Sequence, residues 1–164
     1  MSACLLSECV LVEARTPEDL AQVGRLFRAY ADWLGVDLCF QGFERELAEL
    51  PGAYAPPAGR LLIARVGGDV VGCVGLRPLE SSVCEMKRLW VEPGFGGQGI
   101  GRALAEAIVA AARQIGYRRM RLDTIPARMP AAQHLYASLG FREIPAYYHN
   151  PLEGAVMLEL ELSA

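Results

Sequence analysis

The sequence predicts a single α+β domain with one mixed, mostly antiparallel sheet that is flanked by helices. Three observations favour this fold class. The 164 residues are 52% hydrophobic and 21% charged, a composition that is ordinary for one well-packed domain. Segments with the two-residue apolar period of strands alternate with segments that have the helical period. No internal repeat or long linker divides the sequence, so we expect one domain over residues 1–164, with a core from about residue 8 to residue 162.

The first half of the chain predicts a strand, two helices and a hairpin. Thr16 is a good helix cap, and Pro17 suits the first helical position. Apolar residues then recur at helical spacing up to Gly35, and a shorter helix follows around residues 43–50. Residues 61–66 and 70–76 are apolar runs on either side of a Gly-Gly-Asp turn, which predicts two antiparallel strands.

The second half predicts strands and helices in alternation. A third strand covers residues 83–91 and stops at Pro93, and a glycine-rich loop then opens a helix that ends at Gly116. Residues 117–123 predict a strand, and residues 130–139 predict a helix that Gly140 terminates. Residues 155–162 alternate between apolar and polar side chains, as a strand does. The order is strand, two helices, three antiparallel strands, helix, strand, helix, and one or two strands, which is an α+β arrangement.

Charge and hydropathy argue against several kinds of partner. The formal net charge is −3 and the isoelectric point lies near 5.4, whereas nucleic-acid binding requires a basic field. No apolar run approaches the roughly 18 residues of a membrane span, and the N-terminus lacks the basic region of a signal peptide. We therefore expect a cytoplasmic protein that binds neither nucleic acid nor a membrane.

The cysteines and histidines predict neither a metal site nor a disulfide framework. The five cysteines are odd in number and scattered, without a C-x-x-C pair and without histidine at metal-ligand spacing. The two histidines are His134 and His149, and His134 is expected to pack or face solvent within its helix. A cysteine nucleophile would need a histidine partner, so this chemistry is disfavoured.

Residues 91–104 contain five glycines at a strand-to-helix junction. Glycines at such a junction let the backbone approach a phosphate. Gly94, Gly96 and Gly99 form a literal G-x-G-x-x-G, and Asp123 lies 24 residues beyond Gly99, so a dinucleotide-binding fold has to be considered. That fingerprint normally opens its domain, whereas a helix pair and a hairpin precede it here and only about 65 residues follow. A nucleotide-triphosphatase loop would continue with Lys-Ser/Thr and does not. A tight turn without a ligand remains the third alternative.

Two motifs together resemble the GNAT superfamily of N-acetyltransferases. The strand, a Val-x-Pro step, and Gly97-x-Gly99-x-Gly101 at a helix start are similar to its acyl-CoA loop. The run Ala132-x-x-Leu135-Tyr136-x-x-x-Gly140-Phe141 is similar to its second signature, at the family's separation from the first. The resemblance covers the chain from about residue 10 to residue 162, and it implies a GNAT-like fold with acetyl-CoA as acyl donor.

The resemblance also implies which residues bind acetyl-CoA. Backbone N–H groups of the loop would hold the pyrophosphate, and the end of the preceding strand would pair with the pantetheine. Gly96 stands where the family usually has Arg, so Arg102 is a candidate substitute, and Met129 stands where many members have Asn. The expected set is Leu89, Trp90, Val91, Gly96, Gly97, Gln98, Gly99, Ile100, Gly101 and Arg102.

Acetyl transfer to an amine requires a base and an acid. An alkyl ammonium with a pKa near 10.4 is almost fully protonated at pH 7, and the departing thiolate benefits from a proton donor. The resemblance places the acid at Tyr136 and favours Glu85 as the base, with Glu80 as a weaker rival. A buried tyrosine and a paired strand carboxylate are the structural alternatives for these two residues. Strand alternation places Glu85, Lys87, Leu89 and Val91 on one face, and the N–H of Leu89 or Trp90 is the candidate donor to the thioester carbonyl.

The acceptor is less well defined by the sequence. Tyr147, Tyr148 and His149 lie in the loop before the last strand, where the family often builds substrate contacts, and aromatic faces can hold a cationic amine. Tyr30, Trp33 and Asp37 near the end of the first helix are further candidates.

The resulting prediction is an N-acetyltransferase that transfers acetyl from acetyl-CoA to the primary amine of a small molecule in a ternary complex. Acetylation of a protein N-terminus or lysine, and a non-catalytic acyl-CoA sensor, remain alternatives. A homodimer through the last strand or an exposed sheet edge is left open.

Overall fold

The computed structural model describes residues 8–35, 37–38 and 42–163. Within these residues the chain forms seven strands and four α-helices in the order that the sequence predicts. They are β1 (Cys9–Glu13), α1 (Pro17–Leu34), α2 (Phe43–Ala48), β2 (Arg60–Val66), β3 (Asp69–Glu80), β4 (Val83–Val91), α3 (Ile100–Ile115), β5 (Arg119–Thr124), α4 (Pro130–Leu139), β6 (Arg142–Ile144) and β7 (Val156–Glu161). No described helix is both long enough and apolar enough to cross a bilayer.

All seven described strands belong to one sheet, in the order β1-β2-β3-β4-β5-β7-β6. Strands β4 and β5 are parallel, and the other neighbouring strands are antiparallel. This confirms the predicted α+β class with a mixed, mostly antiparallel sheet. The short strand β6 pairs with β7, so the chain ends with two strands.

The helices pack on both faces of the sheet. On one face, α3 and α4 bury Ile100, Leu104 and Tyr136 in a cluster with Met86 of β4. On the other face, α1 buries Val23, Leu26 and Phe27 in a second cluster. The sheet therefore separates an α3/α4 face from an α1/α2 face, each with its own apolar core.

Helix α1 begins as the sequence predicts. The Thr16 hydroxyl accepts from the N–H of Asp19, and the Asp19 carboxylate accepts from the N–H of Thr16, which forms a capping box. A hydrogen bond from the N–H of Arg15, the largest contribution, holds the pKa of Asp19 below its ordinary value. Pro17 occupies the first turn, where its missing N–H has no helical partner to lose.

Candidate active site

An opening between β4 and β5 defines the site. Their backbones pair only from Val83 opposite Arg119 to Glu85 opposite Arg121, and the two strands then diverge. Beyond the pair of Glu85 and Arg121, the two strands are joined by a side-chain contact instead of backbone pairing. Lys87 Nζ of β4 lies 3.2 Å from Asp123 Oδ1 of β5. The ammonium and the carboxylate thus bridge the two strands at the bottom of the opening.

Strand β4 carries a bulge at Arg88, and this corrects the predicted alternation. Arg88 has a φ of 62°, which a residue other than glycine rarely adopts. Glu85 and Lys87 contact Arg77 and Asp123 and share one face, as predicted, but Leu89 and Val91 pack with the α3/α4 cluster on the other face. The extra residue shifts the strand by one position, so strict alternation fails from this point onward.

The Arg88 side chain holds the bulge on the α1/α2 face. Its guanidinium donates two bonds of 3.1 Å to Glu46 of α2 and lies 5.2 Å from the ring centroid of Phe43. Both charged side chains are buried, at 2% and 9% exposure. A backbone conformation of this kind costs about 1–3 kcal/mol and persists only where its surroundings fix it, and the paired arginine supplies that constraint.

A small cavity of about 40 Å³ passes through the sheet where the strands diverge. Its polar lining combines residues of β4, β5 and three other segments, and its apolar lining comes from both faces of the sheet. The polar residues are Tyr30, Lys87, Arg88, Asp123, Thr124, Tyr136 and Asn150.

Tyr136 reaches this cavity from α4. The ring is 7% exposed and packs edge-on against Phe141, with centroids 5.6 Å apart. Burial, reinforced by the nearby Tyr30 and Asp123, raises the pKa of the Tyr136 hydroxyl well above its usual value. The hydroxyl therefore keeps its proton at neutral pH and can donate it.

Glu85 lies beside the cavity rather than in its lining. The side chain is almost fully buried, and its two oxygens have different partners. Arg77 lies 2.8 Å from Oε1, and the Tyr147 hydroxyl donates to Oε2 at 2.6 Å. Its rival Glu80 is exposed and pairs with Arg121.

Asp123 lines the cavity together with Tyr136, although the sequence argument considered it only as part of a dinucleotide fingerprint. The Tyr148 hydroxyl donates to Oδ2 at 2.6 Å, and Asn150 donates at 3.1 Å. Burial alone would raise the pKa of Asp123, but the Lys87 ammonium and these hydrogen bonds hold it below its ordinary value. Burial lowers the pKa of Lys87, although the negative charge of Asp123 acts in the opposite direction and raises it. The sequence signal that could have identified Asp123 is its position as a polar residue near the carboxyl end of a strand that is parallel to its neighbour.

A wider groove of about 480 Å³ leads from the glycine loop to this cavity. Gly97 and Gly99 have φ values of 74° and 84°, and Gly99 is the N-cap of α3. The first N–H groups of a helix have no intrahelical partner and can hold an anion, so these glycines present bare amides to the groove. Of the loop residues named from the sequence, Gly96, Gly97, Gly99, Ile100 and Gly101 line the groove, as do Leu89, Trp90 and Val91.

The groove has two further features that suit a bound ligand. The buried indole Nε1 of Trp90 has no hydrogen-bond partner within the described ranges, so a ligand oxygen could accept from it. The groove lining is mainly apolar, which suits the pantetheine arm. Arg102 does not line it, because its guanidinium contacts Ser138 at 2.7 Å and Glu106 at 3.6 Å.

The acceptor candidates fall into two groups. Tyr30 lines both cavity and groove, and the half-exposed Trp33 lies against Trp90 with ring centroids 5.3 Å apart. The Tyr147 hydroxyl donates to Glu85, and the Tyr148 hydroxyl donates to Asp123. His149 is exposed, and so is His134 on α4. Asp37 is described but lines neither space.

None of the described cysteines lines the cavity or the groove. Cys9, Cys73 and Cys84 are free thiols, and Cys4 and Cys39 lie outside the described residues. The described ranges also hold no cluster of His, Cys, Asp and Glu side chains that could ligate a metal.

Known proteins are similar to this chain in sequence and in structure. The model of the acetyltransferase (GNAT) family matches residues 26–141. An uncharacterized N-acetyltransferase of Schizosaccharomyces pombe is 39% identical over 151 residues, which cover 91% of this chain and 92% of that protein. The N-acetylaspartate synthetase of Homo sapiens is 33% identical over 114 residues, or 68% of this chain and 37% of that protein. The solved acetyltransferase yncA of Salmonella typhimurium, with its cofactor acetyl-CoA, superimposes with a TM-score of 0.68 at 19% identity over 95% of each chain.

Proposed function

The chain belongs to the GNAT family of acetyltransferases, and on that premise we propose that it acetylates the primary amine of a small molecule. Acetyl-CoA is the proposed donor, and transfer is direct, within a ternary complex of both substrates. The observation that carries the proposal is the continuous path from the bare amides of the glycine loop to the cavity that Tyr136 lines.

Backbone amides of the glycine loop, rather than a cationic side chain of this loop, would hold acetyl-CoA in the groove. The amides from Gly97 to Gly101 and the positive end of α3 would hold the pyrophosphate. When bound, acetyl-CoA supplies a thioester that an amine can attack. The backbone of Leu89, Trp90 and Val91 would position this arm, and the N–H of Leu89 or Trp90 would donate to the carbonyl oxygen.

The proton transfers are assigned to Glu85 and Tyr136. Glu85 is proposed to accept the proton of the attacking amine, directly or through a water molecule that displaces the Tyr147 hydroxyl. Tyr136 is proposed to donate its proton to the departing thiolate, because its side chain lines the cavity beside Leu89 and its hydroxyl is protonated at neutral pH.

Two features support a small acceptor. The cavity has a volume of only about 40 Å³ and is lined from both faces of the sheet, which favours an amine on a slender group. The human relative is named for the synthesis of N-acetylaspartate, a small acetylated amino acid.

A thiol-release assay with acetyl-CoA and a panel of amines tests the proposal. Turnover is expected with at least one small amine. Tyr136→Phe and Glu85→Gln are each expected to lower kcat by about 10²–10⁴-fold, the usual contribution of acid–base catalysis.

Tyr117→Phe is the matched control for Tyr136, because its hydroxyl binds the carbonyl of Ala58, away from the cavity. Full turnover in both variants would contradict the assigned roles. No turnover with any amine, together with a rise in Tm when CoA is added, would indicate an acyl-CoA sensor instead.

A further inference from the structure

We propose that the acceptor amine also carries a carboxylate, as an α-amino acid does, and that Arg128 binds this carboxylate at the mouth of the active site. The inference rests on the proposed function, because it names the substrate class of the same site. It rests on the position of Arg128, on its donors without a described partner, and on a buried donor in the same groove.

Arg128 is an arginine most of whose donors have no partner among the described residues. It lies in the loop between β5 and α4, its side chain is exposed, and its Nη1 donates to the carbonyl oxygen of Leu34 at the end of α1. That is the hydrogen bond that the described part of the chain gives it, and no described carboxylate forms an ion pair with it. A guanidinium has five N–H donors arranged as a fork that matches a carboxylate, so Arg128 is anchored at one corner and open at the others.

Arg128 lies on the side of the sheet from which an acceptor would approach. Its neighbours Ile125 and Met129 pack in the α1/α2 cluster, and its guanidinium reaches the end of α1. The glycine loop begins α3, which packs on the opposite face. The amides of that loop account for the pyrophosphate, and the contact of Arg128 with the end of α1 favours binding of the second substrate.

Arg128 lines the groove next to residues that the groove shares with the cavity. Tyr30, Leu89 and Met129 line both the groove and the cavity, so they mark the junction where amine and thioester would meet. Arg128 immediately precedes Met129 and lines the groove beside this junction. We therefore infer that one small molecule places its amine at the junction and its carboxylate at Arg128.

Trp90, which lines the same groove, carries a second donor that has no described partner. The indole Nε1 of Trp90 is buried without a hydrogen-bond partner among the described residues, and Trp90 itself is only 8% exposed. A carboxylate has about four lone-pair sites, so it can accept from this indole and from the guanidinium. The two cations that line the cavity already have partners, because Lys87 pairs with Asp123 and Arg88 pairs with Glu46. Arg128, which lines the groove, forms no ion pair with a described carboxylate.

The experiment uses acceptors in matched pairs, one member with the α-carboxylate and one without. Suitable pairs are L-lysine with cadaverine, L-phenylalanine with phenethylamine, and L-aspartate with β-alanine. The ratio of kcat/KM within each pair is measured for the wild type, for Arg128→Met and for Arg128→Lys. The carboxylate also changes the pKa of the amine, but this effect cancels when ratios are compared between proteins.

We expect Arg128→Met to lower the preference for the carboxylate-bearing member about 10- to 100-fold, the usual effect of a charge-assisted hydrogen bond. Arg128→Lys should retain part of the preference, and the KM for acetyl-CoA should not change in either variant. Arg28→Met is the control, because this exposed arginine of α1 pairs with Glu44 outside both spaces.

Three results would overturn the inference. An unchanged ratio in Arg128→Met would show that the guanidinium does not bind the acceptor. A raised KM for acetyl-CoA with an unchanged ratio would assign Arg128 to the cofactor phosphates. A lower Tm with unchanged kinetics would leave it only as a cap of α1. Absence of turnover in the wild type would instead remove the proposed function, and this inference with it.

Discussion

Replacing Asp123 with Asn is expected to destabilise the protein strongly, because Asp123 and Lys87 are both buried where β4 and β5 separate. Their side chains are 12% and 4% exposed, and the charged atoms lie 3.2 Å apart. Removing one partner of a buried ion pair typically costs about 3–5 kcal/mol. For a domain of this size each kcal/mol lowers Tm by about 2–4 °C, so Asp123→Asn should lower Tm by about 6–20 °C.

The loss should also depend on pH. Burial lowers the pKa of Lys87, and the charge of Asp123 opposes that effect. Asp123→Asn removes this opposing charge, so the folded-state pKa of Lys87 falls further. The unfolded chain, with an ordinary lysine pKa near 10.4, then binds more protons than the folded one, and stability rises with pH in that interval. Asp123→Asn should therefore recover part of its lost stability as the pH rises towards the unfolded lysine pKa of about 10.4.

Urea unfolding at several pH values measures both effects. The control is Glu49→Gln, which breaks an exposed pair with Arg45 and should change stability by no more than about 0.5 kcal/mol. The double variant Lys87→Met with Asp123→Leu should lose less than the sum of its single variants, since no buried charge is left without its partner. A loss below about 1 kcal/mol in Asp123→Asn, or strict additivity in the double variant, would refute this account of the pair.

Three further predictions concern the glycine loop, the first helix and the mouth of the groove. Gly99→Ala should lower stability by about 1–2 kcal/mol, since Gly99 has a positive φ, and should raise the KM for acetyl-CoA. Gly68→Ala, where a Cβ meets open space, should do neither. The lowered pKa of Asp19 stabilises the fold above its unfolded value of about 3.9, and this contribution is lost as pH falls. In acid urea titrations Asp19→Asn should therefore flatten the pH dependence, and an unchanged slope would contradict the capping role. Trp33→Ala should cost no more than about 1.5 kcal/mol, because the ring is half-exposed against Trp90, yet should raise the acceptor KM. An unchanged acceptor KM would remove Trp33 from the site.

Local signals in the sequence were sufficient to predict the helices, the strands and the glycine loop. The cap at Thr16, the helix ends at Gly116 and Gly140, and the hairpin all depend on residues close together in the chain. Such signals act through backbone geometry and apolar period, which any segment carries by itself. The position of Tyr136 on α4 followed from a motif, and its burial could be expected from the apolar residues around it.

The bulge at Arg88 could not be predicted in the same way. A positive φ at an arginine contradicts the local preference of the residue, and it is held by a glutamate 42 positions earlier in the chain. Without that contact, alternation predicted the wrong face for Leu89 and Val91. The prediction failed where a tertiary interaction outweighed the local preference.

The sequence by itself thus determined the order of elements, the fold class and the anion-binding start of α3, since each depends on neighbouring residues. Only the tertiary structure decided that Lys87 meets Asp123, that two tyrosines of the β6–β7 loop bind Glu85 and Asp123, and that Arg128 reaches α1. These contacts depend on which strands lie side by side and where they separate. That arrangement is set by how the whole sheet packs between its helices, and a single segment does not contain it.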